Sequence, residues 1–473
     1  MVELAAQPRN PAAEPAASHP RPRVLLIAEA ANPEFSSVPL EGWSHSRAIA
    51  GLTDAHIVTQ VRNRAAFERS GLVEGRDFTA INSEAVARPV HLLAGCLRGG
   101  RGKGWTTVMA MSVCSYLYFE RLIWRRFGPS LQRGEYDLVH RLTPLSPTIP
   151  SPLARRCQRI GVPFIIGPLN GGLPWPKGFG LARRREREWL SYIRDAYKLV
   201  PGYHATRRNA AAIIVGSIAT AKQIPNRYTD KCVYIPENAV DPKRFAAKRD
   251  DSKAAGQLRV VFLGRLVPYK CPDVLLEAAA PLIREGRLTL TYIGEGPKGD
   301  EIRDRIADLG LGKGVRMVGW LNHGEVQHAL ARHDVLALPS IREFGGAVVL
   351  EGMAVGLVPV VVDYGGPGEL VTANTGYKIP LGPRNEIIDR MHEVFTRLAE
   401  RPDELAAKRA VAQERVQRSF TWAAKAKQIC EVYRWVRGER DNKPDFGMPL
   451  ADVSCNAACT PTARLPESEV IAQ

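Results

Sequence analysis

Short apolar runs alternate with amphipathic stretches along most of the chain. VLLIAEA, HIVTQV, YDLVHRL, PFIIGPLNGG, AAIIVGS and CVYIPE form a first set of runs rich in Val, Ile and Leu. Each is short enough for a strand and apolar enough to be buried on both faces. Helical stretches separate them. A second set, VVFLG, LTLTYIG, VRMVGW, VLALPS and VPVVVD, begins after a charged, Asp/Lys-rich segment near 246–256. Strands alternating with helices predict two α/β domains with parallel sheets, at 21–245 and 246–420. TWAAKAKQICEVYRWVRGER, 421–440, reads as a last helix that can return to the first domain. The Ala/Pro-rich leader at 1–20 and the Pro/Asp/Ala-rich tail at 441–473 are expected to be disordered. No repeat of solenoid length is visible.

The most informative pattern runs from Pro339 to Glu369. A buried strand, VLALPS, leads into the Gly345-Gly346 pair, and AVVLEGMAVG then has the apolar spacing of a short helix closed by Gly356. A helix N-terminus beside a glycine turn offers unpaired N–H groups and a partial positive charge to an anion. Glu343 precedes the turn, and Glu351 lies eight positions later, on the helix. A carboxylate there can accept two vicinal hydroxyls, such as those of a ribose, while the earlier one reaches the ligand from the loop.

Composition narrows the class. The 473 residues are 45% hydrophobic, enough for two cores. No apolar run reaches the ~18 residues needed to cross a bilayer, and the leader lacks the apolar core of a secretory signal. Eight cysteines are scattered without metal spacing, which suits a reducing compartment, so a cytoplasmic enzyme is expected. The net charge of +16 asks for an anionic partner. Part of it is local: residues 177–209 hold nine Lys or Arg against three acids. SVCSYLYFERLIWRRF, 112–127, interleaves aromatics with arginines. It reads either as a segment lying at an anionic membrane surface or as a helix buried on one face. No recognition helix, zinc finger or RNA platform accompanies the charge, so nucleic acid is not expected as a partner.

The 339–369 segment resembles the retaining glycosyltransferases of family 4, whose signature is E-x7-E with Phe-Gly between the acids and the second Glu opening E-x-M-A. Here stand Glu343-Phe344-Gly345 and Glu351-Gly352-Met353-Ala354. VVFLGRLVPYK, YIGEGP, VRMVGW and GGPGE look like further family segments in the same order, and IPENAVDPKRF resembles the P-N-G-V-D segment, with Glu237-Asn238-Ala239 in place of the usual residues. The resemblance implies the GT-B fold, two Rossmann-like domains facing across a cleft, and a nucleotide-sugar donor. It assigns Arg265 and Lys270 to the diphosphate, Glu343 to the donor sugar and Glu351 to the ribose. Gly264, Gly294, Gly296, Gly345, Gly346, Gly365 and Gly366 line the donor site, and Glu369 either contacts the donor or orients its own turn.

In the first domain the match is looser. His140 stands where relatives carry the first histidine of H-x-H, but Leu142 takes the second position, leaving a catalytic and a core role both open. Gly42, Ser44 and His45 resemble the glycine loop near the acceptor, and GPLNGGLPWP reads as another acceptor-side loop. Gly294 to Gly299 also satisfies G-x-G-x-x-G, but it follows a late strand, contains Pro297 and has no acidic residue at a strand end about twenty positions on, against a dinucleotide site.

Charge gives the expected chemistry. Departure of a nucleoside diphosphate leaves negative charge on its β-phosphate, and nearby cations lower the barrier. With Arg265 and Lys270 in place and no D-x-D tripeptide, no metal or other cofactor is expected. The expected acceptor is a carbohydrate or a lipid-linked polysaccharide intermediate, met in the cytoplasm or at the inner face of the membrane. A hydrolase or epimerase of the same fold, and a sugar-nucleotide-binding protein without turnover, remain the alternatives.

Overall fold

The computed structural model describes residues 21–89, 105–176, 198, 200–247, 249 and 257–447. Strands β1 (Arg23–Ala28), β2 (Asp54–Gln60), β3 (Phe78–Ile81), β4 (Leu138–Thr143), β5 (Phe164–Leu169), β6 (Ala212–Val215) and β7 (Cys232–Tyr234) form one sheet in the order β3-β2-β1-β4-β5-β6-β7. Strands β8 (Leu258–Leu263), β9 (Leu288–Ile293), β10 (Val315–Gly319), β11 (Val335–Leu338), β12 (Val358–Val362) and β13 (Tyr377–Ile379) form a second, in the order β10-β9-β8-β11-β12-β13. Neighbouring strands pair in parallel throughout. Both sheets are doubly wound, and each reverses direction at one point, between β1 and β4 and between β8 and β11. Ligands of such sheets bind where the strand order reverses, outside the carboxyl ends of the strands.

Burial on both faces explains the unbroken apolar runs. In β1, Leu25 and Ile27 join one core with Phe119 and Ile123, and Val24 and Leu26 join the other, because successive side chains point to opposite faces. The second sheet closes over one continuous core that includes Val260, Phe262, Leu336, Leu338 and Val360. The edge strands β3 and β13 were not legible, having four and three residues and no run long enough to mark them.

The helix Trp422–Val436 covers one face of the first sheet, placing Ala426, Ile429, Val432 and Tyr433 in the core that holds Val24 and Leu26. Its apolar residues recur at helical spacing, and Thr421 caps it by accepting from the Ala424 N–H. The chain therefore crosses between domains twice, and the crossings run side by side. Val240 N–H donates to Phe420 O at 2.8 Å, and Trp422 N–H to Val240 O at 3.3 Å.

The aromatic and basic stretch 112–127 lies in the helix Trp105–Gln132 and is buried on one face. Tyr116, Phe119 and Phe127 are in the core, while Arg121, Arg125 and Arg126 are exposed. Trp124 is packed beneath the Arg156 guanidinium, 5.3 Å from it. Of the two readings of this stretch, the helix buried on one face is the one observed. No helix among the described residues is long and apolar enough to cross a membrane. The leader, most of the basic run at 177–209, and the tail beyond 447 lie outside the described residues.

Candidate functional site

At the reversal point of the second sheet, the loops after β8 and β11 are tied together by the Ile341 N–H donating to Tyr269 O at 2.9 Å. Lys270 ends a short 3-10 turn, Pro268–Lys270, and its stem passes over Gly264, where a Cβ would sit 3.3 Å from the ammonium. Lys270 Nζ meets Glu343 Oε2 at 2.5 Å. Both side chains are mostly covered, 11% and 21% exposed, yet open enough for an incoming anion to displace the carboxylate. Arg265 stands exposed one residue past Gly264, with no ion pair among the described residues.

The helix Ala347–Ala354 opens at Gly346, whose φ of 70° is left-handed, and Gly356 at φ 89° follows its end. Glu351 is its fifth residue, half-buried. Desolvation pushes its carboxyl up to about 7, against the pull of Arg244. Gly345 admits a close approach of the first domain: a Cβ there would strike Asn238 and fall 2.5 Å from Glu237 Oε1.

Several expected contacts are corrected. The Gly366 N–H donates to Glu343 O at 3.1 Å, so it fixes the backbone of Glu343 and is not available to a phosphate. Gly365 and Gly366 press against the carbonyls of Glu343 to Gly345, leaving no room for a side chain. The Gly264 N–H donates to Ile293 O at 2.9 Å and the Gly294 N–H to Gly319 O at 2.7 Å, while Gly296 packs against Leu266. These three glycines let two loops pack backbone to backbone. The G-x-G-x-x-G turn follows β9, the second strand of its sheet, and Lys298 within it is paired with Asp273 at 3.1 Å and Glu301 at 2.8 Å. Glu369 reaches the other domain: its Oε2 accepts from the Ile218 N–H at 2.9 Å and from Tyr234 Oη at 2.7 Å. These two bonds join the domains through one carboxylate oxygen.

The first-domain histidines are also corrected. His140 is fully buried, its Nε2–H donating to Gly167 O and its Nδ1 accepting from Tyr433 Oη, both at 2.7 Å. Burial pushes it down to about 3. With both nitrogens engaged and the ring fully buried, it anchors the returning helix, the core role that the sequence left open beside a catalytic one. His45 is buried too, donating from Nε2 to Glu237 O at 3.0 Å with its ring against Trp422, and burial holds it down to about 4. Gly42 abuts the Ala30 carbonyl, and Ser44 stays half-buried beside it.

The loop GPLNGGLPWP joins the domains at the mouth of the cleft. Leu173 O accepts from Arg342 Nε at 3.3 Å, and Pro174 O from Tyr364 Oη at 2.8 Å. The Arg342 guanidinium lies 4.9 Å from the Trp175 ring and 5.1 Å from that of Phe344. Sequence reasoning missed this clasp, and it missed two carboxyls, Glu41 and Glu237. Glu237 is 5% exposed and held by Asn170 Nδ2 at 2.5 Å. The only signal was its position, where the P-N-G-V-D pattern has another residue.

Residues 244–408 match the family model described as glycosyl transferases group 1. A D-inositol 3-phosphate glycosyltransferase from Nocardioides sp. is 30% identical over 333 residues, which cover 65% of this chain and 69% of that protein. The chain belongs to the group 1 glycosyltransferases. Another member, a glycogen synthase from Mycobacterium tuberculosis, is 30% identical over 218 residues, 45% of this chain, which spans about half of that relative, 51%. Among solved structures of the same GT-B fold, Anabaena HepE in complex with UDP superposes with a TM-score of 0.57 at 17% identity, covering 87% of this chain and 99% of that one. Sucrose-phosphate synthase from Thermosynechococcus elongatus gives 0.56 at 16% identity, covering 89% and 100%. The likeness to these two solved structures shows the shared fold, a pair of doubly wound domains.

Proposed function

We propose that this chain is a retaining glycosyltransferase that moves a sugar from a nucleotide-sugar donor to a hydroxyl of a carbohydrate or lipid-linked polysaccharide intermediate. The observation that carries the reading is the Lys270–Glu343 pair, 2.5 Å apart, at the strand-order reversal of the second sheet. A donor diphosphate entering there replaces the carboxylate on Lys270 and meets Arg265 alongside. Glu343 is then free to accept from a hydroxyl of the donor sugar, and Glu351 from the ribose. As the bond from the anomeric carbon to the β-phosphate oxygen breaks, the two cations meet the charge left on phosphate. The acceptor oxygen bonds to the anomeric carbon from the same face, and its proton passes to the departing phosphate. Among the described residues no group of three or more His, Cys, Asp or Glu is arranged to hold a metal ion. The role of countering phosphate charge is assigned here to Arg265 and Lys270.

A thermal-shift panel of UDP-, GDP- and ADP-sugars on the wild type and Glu351→Ala tests this reading. One donor should stabilise the wild type and stabilise the variant at least tenfold more weakly. No shift with any donor overturns the donor site, and an inverted anomeric product by NMR overturns the stereochemistry. The net charge of +16 also fits an acceptor presented at an anionic membrane, at the inner face. Flotation with vesicles containing anionic lipid at low salt checks that localisation, and protein left at the bottom of the gradient rejects it.

A further inference from the structure

Outside the donor site, the cleft holds a cluster that the transfer chemistry above does not use. Glu41 lies in the first turn of the helix Val38–Ala50, and His45, four residues on and so on the same face, donates to the Glu237 carbonyl at 3.0 Å. That bond sets the start of the helix against the segment leaving β7. Glu41 and Glu237 both stand beyond the carboxyl ends of first-sheet strands, where such sheets take ligands. Glu237 is fixed from behind: Asn170 Nδ2 donates to its Oε1 at 2.5 Å, and Ser217 Oγ donates to Asn170 Oδ1 at 2.9 Å. Its other oxygen, Oε2, is buried without a hydrogen-bond partner, and so is Oε2 of Glu41. Leaving a carboxyl oxygen buried without a partner costs desolvation free energy, and Glu41 is near enough to Glu237 to raise its carboxyl. A buried polar oxygen without a partner calls for an explanation, and a ligand's hydroxyl is one that fits a position beyond the strand ends.

What covers Glu237 is the donor loop of the other domain. Gly345 lies against it, close enough that no larger residue fits, and Glu343 stands two residues away along that loop. Among the described residues the chain runs between the domains at Val240 and Thr421, which meet as an isolated bridge, and a ligand reaches the carboxyls only when the domains part.

We propose that Glu41 and Glu237 form a binding site for the hydroxyls of an acceptor sugar ring, and so help determine acceptor specificity, on the first-domain wall facing Glu343. The inference rests on the transferase reading. Carboxyl groups suit this task because a protonated oxygen donates to a hydroxyl and an ionised one accepts from it. The surroundings supply both forms. Desolvation and the neighbouring carboxylates of Glu41, Glu369 and Glu343 raise the Glu237 carboxyl far above its ordinary range, and burial pushes Glu41 up to about 7. Raising both carboxyls also lessens their repulsion of the donor diphosphate. An uncharged sugar hydroxyl is therefore a better match than a phosphate or carboxylate on the acceptor.

The test is saturation-transfer NMR with methyl glucoside, methyl galactoside and methyl mannoside, on the enzyme alone and with UDP, GDP or ADP bound. At least one glycoside should bind the wild type, and Glu237→Gln and Glu41→Gln should each weaken that binding tenfold or more. Gln at 237 keeps the oxygen that accepts from Asn170, so the fold and its thermal midpoint should persist, and nucleoside diphosphate affinity should stay within about twofold. Glycoside binding that survives both substitutions, or is missing from the wild type, overturns the proposal. Nucleotide affinity falling in step with glycoside binding overturns it also, since the pair would then serve the donor or the fold. Failure of every nucleoside diphosphate to bind the wild type strikes instead at the transferase reading, and the glycoside measurement without nucleotide still decides the carboxyl pair.

Discussion

On the second-domain wall of the cleft, Lys270 and Glu343 meet as an ion pair at 2.5 Å, while on the first-domain wall Glu237 keeps one oxygen with no partner at all. The two walls descend from sheets of the same parallel, doubly wound design, and both present glutamates beyond the strand ends. They differ in what lies beside the carboxyls. A lysine and a partial opening to solvent keep the second wall ionic, so that an anionic ligand finds a cation ready for exchange. Desolvation raises both carboxyls of the first wall, with like charge adding at Glu237, which suits a neutral, hydroxyl-rich ligand. On the proposals made above, one cleft is divided between an anion and a polyol without a change of fold.

The sharpest way to break that comparison is at Lys270. Lys270→Ala should lower kcat by about 100-fold or more, because one cation near a departing phosphate contributes roughly 3–4 kcal/mol in a desolvated site. Initial-rate kinetics with the donor found by thermal shift measure this, and turnover within threefold of wild type would remove the ionic character assigned to the second wall. Glu351 sharpens the comparison by pH. Its carboxyl is raised to about 7, so it is ionised above that pH and neutral below. An acceptor of two ribose hydroxyls must be ionised, so donor affinity should fall as pH drops below 7, by at most about tenfold per unit. Calorimetry across pH 5.5 to 8.5 should show the slope in the wild type and none in Glu351→Gln; a slope shared by both places the titration elsewhere.

A smaller effect lies under the first wall. Lys425 is fully buried, its ammonium without a hydrogen-bond partner and 4.6 Å from the Phe420 ring, and burial pushes it down to about 7. An unfolded lysine holds its proton to about pH 10. Between these values the unfolded chain binds more protons, so stability rises with pH across that window, and the cost of the buried amine is greatest at pH 7 and below. Lys425→Met should raise the thermal midpoint by a few degrees at pH 7 and by less at pH 10. An equal gain at both would show that packing and not charge is at stake.

The second domain was read almost whole, because its strands are long and apolar and its site residues stand in contiguous motifs: Lys270 within GRLVPYK, Glu343 and Glu351 within one strand, turn and helix. The first domain was read in outline only. His140 and His45 look alike on paper to groups that handle protons, and nothing in their neighbours announces that Gly167, Tyr433 and the Glu237 carbonyl occupy their nitrogens. Nothing near Glu369 in the chain announces that its carboxylate meets the Ile218 N–H, 151 positions away.

The sequence by itself determined the alternation of buried strands and helices, hence two parallel α/β domains, and it singled out Arg265, Lys270, Glu343 and Glu351 as candidates, since each stands in a motif of near neighbours in the chain. Tertiary structure alone decided which titratable groups face the cleft and which are sealed into it. It brought Glu41 to Glu237 and Arg342 to Trp175, and it consumed the N–H groups of Gly264, Gly294 and Gly366. Protonation, burial and the availability of a hydrogen-bond partner are set by residues that meet only when the chain folds. A sequence pattern names a group's chemistry, but its state depends on what desolvates it.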